Sequence, residues 1–275
     1  SRRQRARRSL RKFILMDVGV VRDFLTVLAG IATGIMSGAF GVGGAVISTP
    51  AIRALGCSAA LAVGTTLPSI LPGAVTGSWR YRQGELIRWK VVVFTAPAGI
   101  VAAVLGAWVS PRVPGDGHIL MVFTALLLMW SAINMIRSVA PREPADAKTS
   151  LRSSQGFLAT LTGVCAGGLS GLLGLGGGII MVPLFRRWLG LPIKNAVATS
   201  LICVGCFAVP GTITHALEGG IDWRFALWLT VGVVVGAPFG SKTALKMSDK
   251  KLQRVFGLFL AAVAVVYGVG ELLAL

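Results

Sequence analysis

The chain has 275 residues, 54% of them hydrophobic and only 13% charged, with a formal net charge of +17. A soluble domain of this size could not cover its surface with so few charges, so that class is excluded. Nucleic acid is not expected as a partner, because the Lys and Arg residues lie in the tail and between apolar runs, as topology signals do.

Residues 1–23 read as a basic N-terminal tail carrying Arg2, Arg3, Arg5, Arg7, Arg8, Arg11 and Lys12. Such a cluster is expected on the cytoplasmic side, against anionic headgroups. No small-residue cleavage site follows a short apolar core, so it does not read as a signal peptide. A charge-free run then extends over Phe24–Ile52. It contains Ser37-Gly-Ala-Phe-Gly-Val-Gly-Gly-Ala-Val-Ile-Ser-Thr-Pro50. Gly41, Gly43 and Gly44 allow backbone angles closed to other residues. The pattern predicts a helix ending near Phe40 and a second piece from Ala45 to about Leu55, with Pro50 inside it. The first N–H groups of that second piece lack intrahelical partners and carry partial positive charge, which suits an anion. Close helix packing is the bland alternative for glycine-rich membrane segments.

The next run, Ala54–Trp79, carries Thr65 and Thr66. Their hydroxyls have two uses open to them, a bond to their own helix carbonyls or a bond to a bound oxyanion. Val91–Pro111 and Gly117–Ile136 complete a first transmembrane repeat over residues 24–137. Residues 138–155 form a polar linker with Pro141 and Pro144.

Residues 156–275 repeat the pattern at an offset near 133. The glycine motif returns as Ser170-Gly-Leu-Leu-Gly-Leu-Gly-Gly-Gly-Ile-Ile-Met-Val-Pro183, with Gly174, Gly176, Gly177 and Gly178. Ala62-Val-Gly-Thr-Thr-Leu67 matches Ala196-Val-Ala-Thr-Ser-Leu201, so Thr199 and Ser200 stand for Thr65 and Thr66. Gly84, Arg88 and Trp89 parallel Gly220, Asp222 and Trp223. A span needs roughly 20 apolar residues, and only helices satisfy the backbone in runs like these. The expectation is an all-α polytopic membrane protein of two homologous halves, about eight spans, with a glycine-broken helix in each half. If the second glycine segment enters and leaves on one side, 24 of the 27 Lys and Arg fall on one face. That arrangement is the signature of inverted repeats.

His215, near a run end with Glu218 three residues on, is a candidate for proton coupling. Cys203 and Cys206 have redox spacing without a βαβ context, which leaves a thiol-dependent carrier as an alternative. Trp79, Trp89, Trp108, Trp188 and Trp223 lie near run ends, as an interfacial belt would. No metal-ligand spacing or nucleophile triad emerges, so neither an enzyme nor a cofactor or metal is expected.

The doubled pattern G-x-G-G-(A/G)-x-x-x-x-P, each copy followed by A-V-(G/A)-T-(T/S)-L and then G…W, resembles the TauE/SafE family of sulfite-exporter-like permeases over about residues 24–270. The resemblance implies a multi-pass inner-membrane secondary transporter for a small anion such as sulfite or an organosulfonate. Gly41, Gly43, Gly44, Thr65, Thr66, Gly174, Gly176, Gly177, Gly178, Thr199 and Ser200 then become the substrate-binding candidates. Ala45 departs from the pattern of the second copy, where Gly178 stands. The expected mechanism is alternating access with the anion between two broken-helix N-termini. The alternatives are an anion channel or the thiol carrier. Expected partners are the anion and the bilayer, with proton or sodium coupling and homo-oligomerisation open.

Overall fold

The computed structural model describes residues 2–109, 118–137, 153–173 and 176–272, except the side chains of 2–18, 59–60, 118–122, 153 and 269–272. Among the described residues the chain forms ten helices. The first half contributes α1 (Arg2–Phe40), α2 (Ala45–Ala54), α3 (Ala59–Gln83), α4 (Trp89–Val109) and α5 (His118–Arg137). The second contributes α6 (Ser153–Leu173), α7 (Gly178–Leu189), α8 (Ile193–Leu217), α9 (Trp223–Lys246) and α10 (Asp249–Leu272). The polar linker expected over 138–155 lies, up to residue 152, outside the described residues, as does Gly174.

Among the described residues six helices are long and apolar enough to cross a membrane, in α1, α4, α6, α8, α9 and α10, against about eight expected. α3 is as long as α8 but carries Arg80 and Arg82 in its last turn. α5 has 20 residues, of which the side chains from Phe123 on are described. α2 and α7, with 10 and 12 residues, extend only about 15 and 18 Å and cannot cross a bilayer core of about 30 Å. Large apolar side chains such as Phe157, Val93 and Leu217 face outward, while Thr65, Thr66, Thr95, Thr199 and Ser200 are buried. That is the distribution of a protein solvated by lipid.

The halves interlock. α1 packs on α9, and α6 packs on α4. Gly30, Gly34 and Gly38 face the backbone carbonyls of Leu229, Val233 and Ala237, while Gly232, Gly236 and Gly240 face those of Val27, Ile31 and Ile35. Gly163, Gly167 and Gly171 face Thr95, Gly99 and Ala103 in the same way. Small residues every four positions let two backbones touch, which is how helices associate where lipid removes the hydrophobic drive.

α2 then turns back along α1. The α1 glycines pass Leu229, Val233 and Ala237 in order, and α2 returns Ile52 to Phe225, Leu229 and Val233. α7 turns back along α6, and the start of α8 meets the start of α4, where Asn195 Nδ2 donates to the Leu86 carbonyl at 2.9 Å. Asp23, early in the apolar span Gly19–Phe40 of α1, pairs with Arg224 in the first turn of α9 at 2.7 Å. Arg80, Arg82, Arg88 and Lys194 belong to the opposite end, with the Lys242–Arg254 group that closes α9. The expected gathering of 24 Lys and Arg on one face therefore fails, because it needs α1 and its sequel to cross once.

Replacing Gly34 or Gly236 with Ala puts a methyl against facing backbone that cannot move aside. The expected cost is about 1–3 kcal/mol, a fall of roughly 3–10 °C in the unfolding midpoint in detergent. Gly268→Ala, where nothing lies within 4 Å, should leave the midpoint unchanged.

Candidate functional site

The breaks sit where the glycines stand. Gly41, Gly43 and Gly44 have φ of 70, 86 and 85°, and Gly176 and Gly177 have φ of 80 and 71°. A side chain resists that left-handed region, so the helix must stop there. Gly44 and Gly177 are the N-caps of α2 and α7, and neither start has a side-chain cap. The Gly44 carbonyl accepts from Ile47 and Ser48 N–H at 3.0 and 3.1 Å, and that of Gly177 from Ile180 and Met181 at 3.1 Å each. Ala45 and Val46 are 0% and 1% exposed, and their N–H groups have no partner among the described residues. Buried N–H groups without partners are rare and ask for an acceptor.

The breaks also meet each other. A Cβ on Gly43 would lie 3.7 Å from the Gly176 Cα, and one on Gly176 would lie 3.7 Å from the Gly43 Cα. Gly178, in the first turn of α7, faces the Gly41 carbonyl and the Val42 Cα. Val204 of α8 covers the junction, its Cγ1 facing both Gly43 and Gly176. The surroundings correspond residue by residue. Gly44 lies against Thr33 and Ser37, and Gly177 lies against Ala166 and Ser170. A small apolar cavity opens beside the second break, lined mainly by Leu127, Leu128, Leu169, Leu173, Ile179 and Ile180. At the first break, Phe40 stacks on Phe256 and Phe259 with centroids 4.9 and 5.2 Å apart.

The four hydroxyl candidates divide by task. Thr65 Oγ1 accepts the Asp222 N–H at 2.9 Å, and Thr199 Oγ1 accepts the Arg88 N–H at 3.1 Å. Each thus ties its helix to the turn before the fourth helix of the other half. Thr66 donates to its own Val63 carbonyl at 2.9 Å. Ser200 donates to the Val197 and Gly41 carbonyls, both at 3.0 Å, and so fixes the first break from α8. Of the four, Ser200 alone has a hydrogen bond to a glycine break among the described residues.

His215 ends α8 half-buried, packed between Gly64 and Gly220, beside the Thr65–Asp222 contact and away from the breaks. Cys203 is buried and Cys206 half-buried, and all four thiols are free. No group of three metal-ligating side chains occurs among the described residues. Sequence reading missed Thr33, although the signal existed. Thr33 and Ser37 are four apart just before the glycines, so they share the helix face that meets the break.

A family model described as "Sulfite exporter TauE/SafE" matches residues 26–267. The chain is 29% identical to a "Probable membrane transporter protein" of Xylella fastidiosa over 246 residues, covering 88% of this chain and 93% of the relative. It is 26% identical to the "Probable membrane transporter protein YunE" of Bacillus subtilis, over 86% of this chain and 93% of the relative. A third relative is the "Probable membrane transporter protein MJ0441" of Methanocaldococcus jannaschii, 26% identical over 86% of this chain and 94% of the relative. No solved structure matches the chain.

Thr65→Val and Thr199→Val each take the acceptor from a part-buried N–H, and should cost about 1 kcal/mol of stability. Thermal unfolding in detergent reads this directly. A drop in anion affinity at unchanged stability would instead make these hydroxyls ligands.

Proposed function

The chain belongs to the TauE/SafE family of membrane transporters, and from that premise we propose that it carries a small sulfur oxyanion, sulfite or an organosulfonate, across the inner membrane. The anion binds between the two broken-helix starts, at Gly41–Gly44 and Gly174–Gly178. One observation carries the reading: the buried, unpartnered N–H groups of Ala45 and Val46 lie at a break that touches its counterpart through Gly43 and Gly176. Backbone donors fixed in a dry environment bind an anion without a buried cation to repel coupling ions.

The halves act as inverted repeats. In support, the start of α3 meets the start of α9 through Thr65 and Asp222, while the start of α8 meets the start of α4 through Thr199 and Arg88. Since α4 begins where α3 ends, α3 and α8 run in opposite directions. Alternating access follows from such repeats, but the sequence halves are not the moving bodies. The glycine-zipped pairs α1–α9 and α4–α6 take that role, because backbone contact along a whole face resists sliding. Val204 over the junction closes the site in this conformation. His215, next to the Thr65–Asp222 contact, is the proposed proton-coupling group.

Flux of sulfite, thiosulfate, sulfoacetate and taurine in proteoliposomes, with and without a proton gradient, tests the proposal. At least one anion should move, and His215→Gln should remove the response to the gradient. Gly43→Ala should cut flux at least tenfold, since the new methyl meets Val204 Cγ1. Adding Val204→Ala should restore part of it. Folded Gly43→Ala protein with parental flux of every anion would sink the binding site. Cys203→Ser with Cys206→Ser should keep at least half the flux, and its abolition would favour a thiol carrier.

A further inference from the structure

Within that transport reading, we propose that the two breaks are chemically unequal, and that Thr33 binds the substrate's anionic oxygens at the first one. Thr33 is 1% exposed and its Oγ1 has no hydrogen-bond partner. Six other helix threonines hide the hydroxyl within their own helix. Thr26, Thr160, Thr162, Thr214, Thr230 and Thr243 each donate to the carbonyl four residues back. That back-bond is the ordinary way to hide a hydroxyl in a membrane helix. Thr33 does without it.

The Thr33 side chain faces the start of α2. The atom nearest a Cβ on Gly44 is Thr33 Cγ2, at 2.6 Å. Methyl and hydroxyl share one carbon, so a 120° turn about χ1 brings the hydroxyl to the place of the methyl. The hydroxyl thereby joins the Ala45 and Val46 N–H groups, which also lack partners. Three donors with no internal acceptor fit a ligand that only accepts, a sulfite, sulfonate or carboxylate group. The Gly44 carbonyl cannot serve, since Ile47, Ser48 and the Ser48 hydroxyl already use it.

Among the described residues the second break offers a smaller set, since the Ile179 N–H lacks a partner but the Gly178 N–H donates to the Gly176 carbonyl at 2.9 Å. Ala166 takes the place of Thr33 beside Gly177, and the adjoining cavity is lined mainly by Leu and Ile, with Thr124 and Ser170 among them. An anionic head there would lose its hydration for fewer backbone donors in return. The first break therefore holds the charged head, and the second faces the rest of the substrate.

Thr33→Val keeps the shape and removes only the hydroxyl. Two measurements apply, half-saturation for sulfoacetate and sulfite flux in proteoliposomes, and the thermal shift each anion produces in detergent. For Thr33→Val the half-saturation concentration should rise at least fivefold with the maximal rate within twofold, and the thermal shift should shrink. Thr33→Ser should restore both. Folded Thr33→Val protein with half-saturation and thermal shift within twofold of the parent would overturn the assignment and leave the transport reading standing. A parent showing neither flux nor thermal shift with these anions would overturn both.

Discussion

The architecture hangs on backbone-to-backbone contact between α1 and α9, and between α6 and α4. In lipid, an apolar side chain gains little by leaving the solvent, so helices associate through close packing and weak Cα–H···O contacts. Gly30, Gly34 and Gly38 against Gly232, Gly236 and Gly240 give that closeness over about two turns of each helix. Because the partners come from opposite halves, neither half has a packed core of its own. The largest cluster of buried side chains accordingly draws on both, from Phe40 and Val46 to Val204 and Leu260.

That packing fixes the depth of the breaks. α1 is held against α9 down to Gly38, and Tyr81 on α3 donates to the Gly38 carbonyl at 2.8 Å. The chain has just left this clamp when it reaches Gly41. There the left-handed glycines reverse it, and α2 starts inside the protein rather than at a surface. A helix start in water would have its N–H groups solvated. Here Ala45 and Val46 are enclosed, so their donors persist as a demand on whatever enters. The reversal at the glycines thus leaves buried backbone donors behind it.

The hydroxyl pairs show how the same residues can serve a fold before a ligand. Thr65 and Thr199 each accept an N–H from a turn of the other half, at 2.9 and 3.1 Å. They tie the third helix of one repeat to the fourth of the other, reinforcing the exchange begun by the glycine stripes. Thr33 stands outside this scheme, with a buried hydroxyl that the fold does not use. Its counterpart Ala166 leaves the second break without that group, beside an apolar cavity. The duplicated framework thus surrounds its two breaks with different side chains.

The amino-acid sequence by itself determined the membrane class, the two-fold repetition and the positions of the breaks. Each depends on composition or on local backbone freedom, and α2 and α7 begin at Ala45 and Gly178 as the glycines require. Tertiary structure decided which helices pair, where the hydroxyls bond, and that α2 folds back along α1. The contact of Gly34 with Val233 joins residues far apart in the chain, and the bond from Asp222 N–H to Thr65 spans 157 positions. No local pattern encodes such a partner. A glycine stripe announces that some backbone will come close, and a buried hydroxyl that some acceptor or donor is needed. Only the completed packing, which sets one surface against another, selects which.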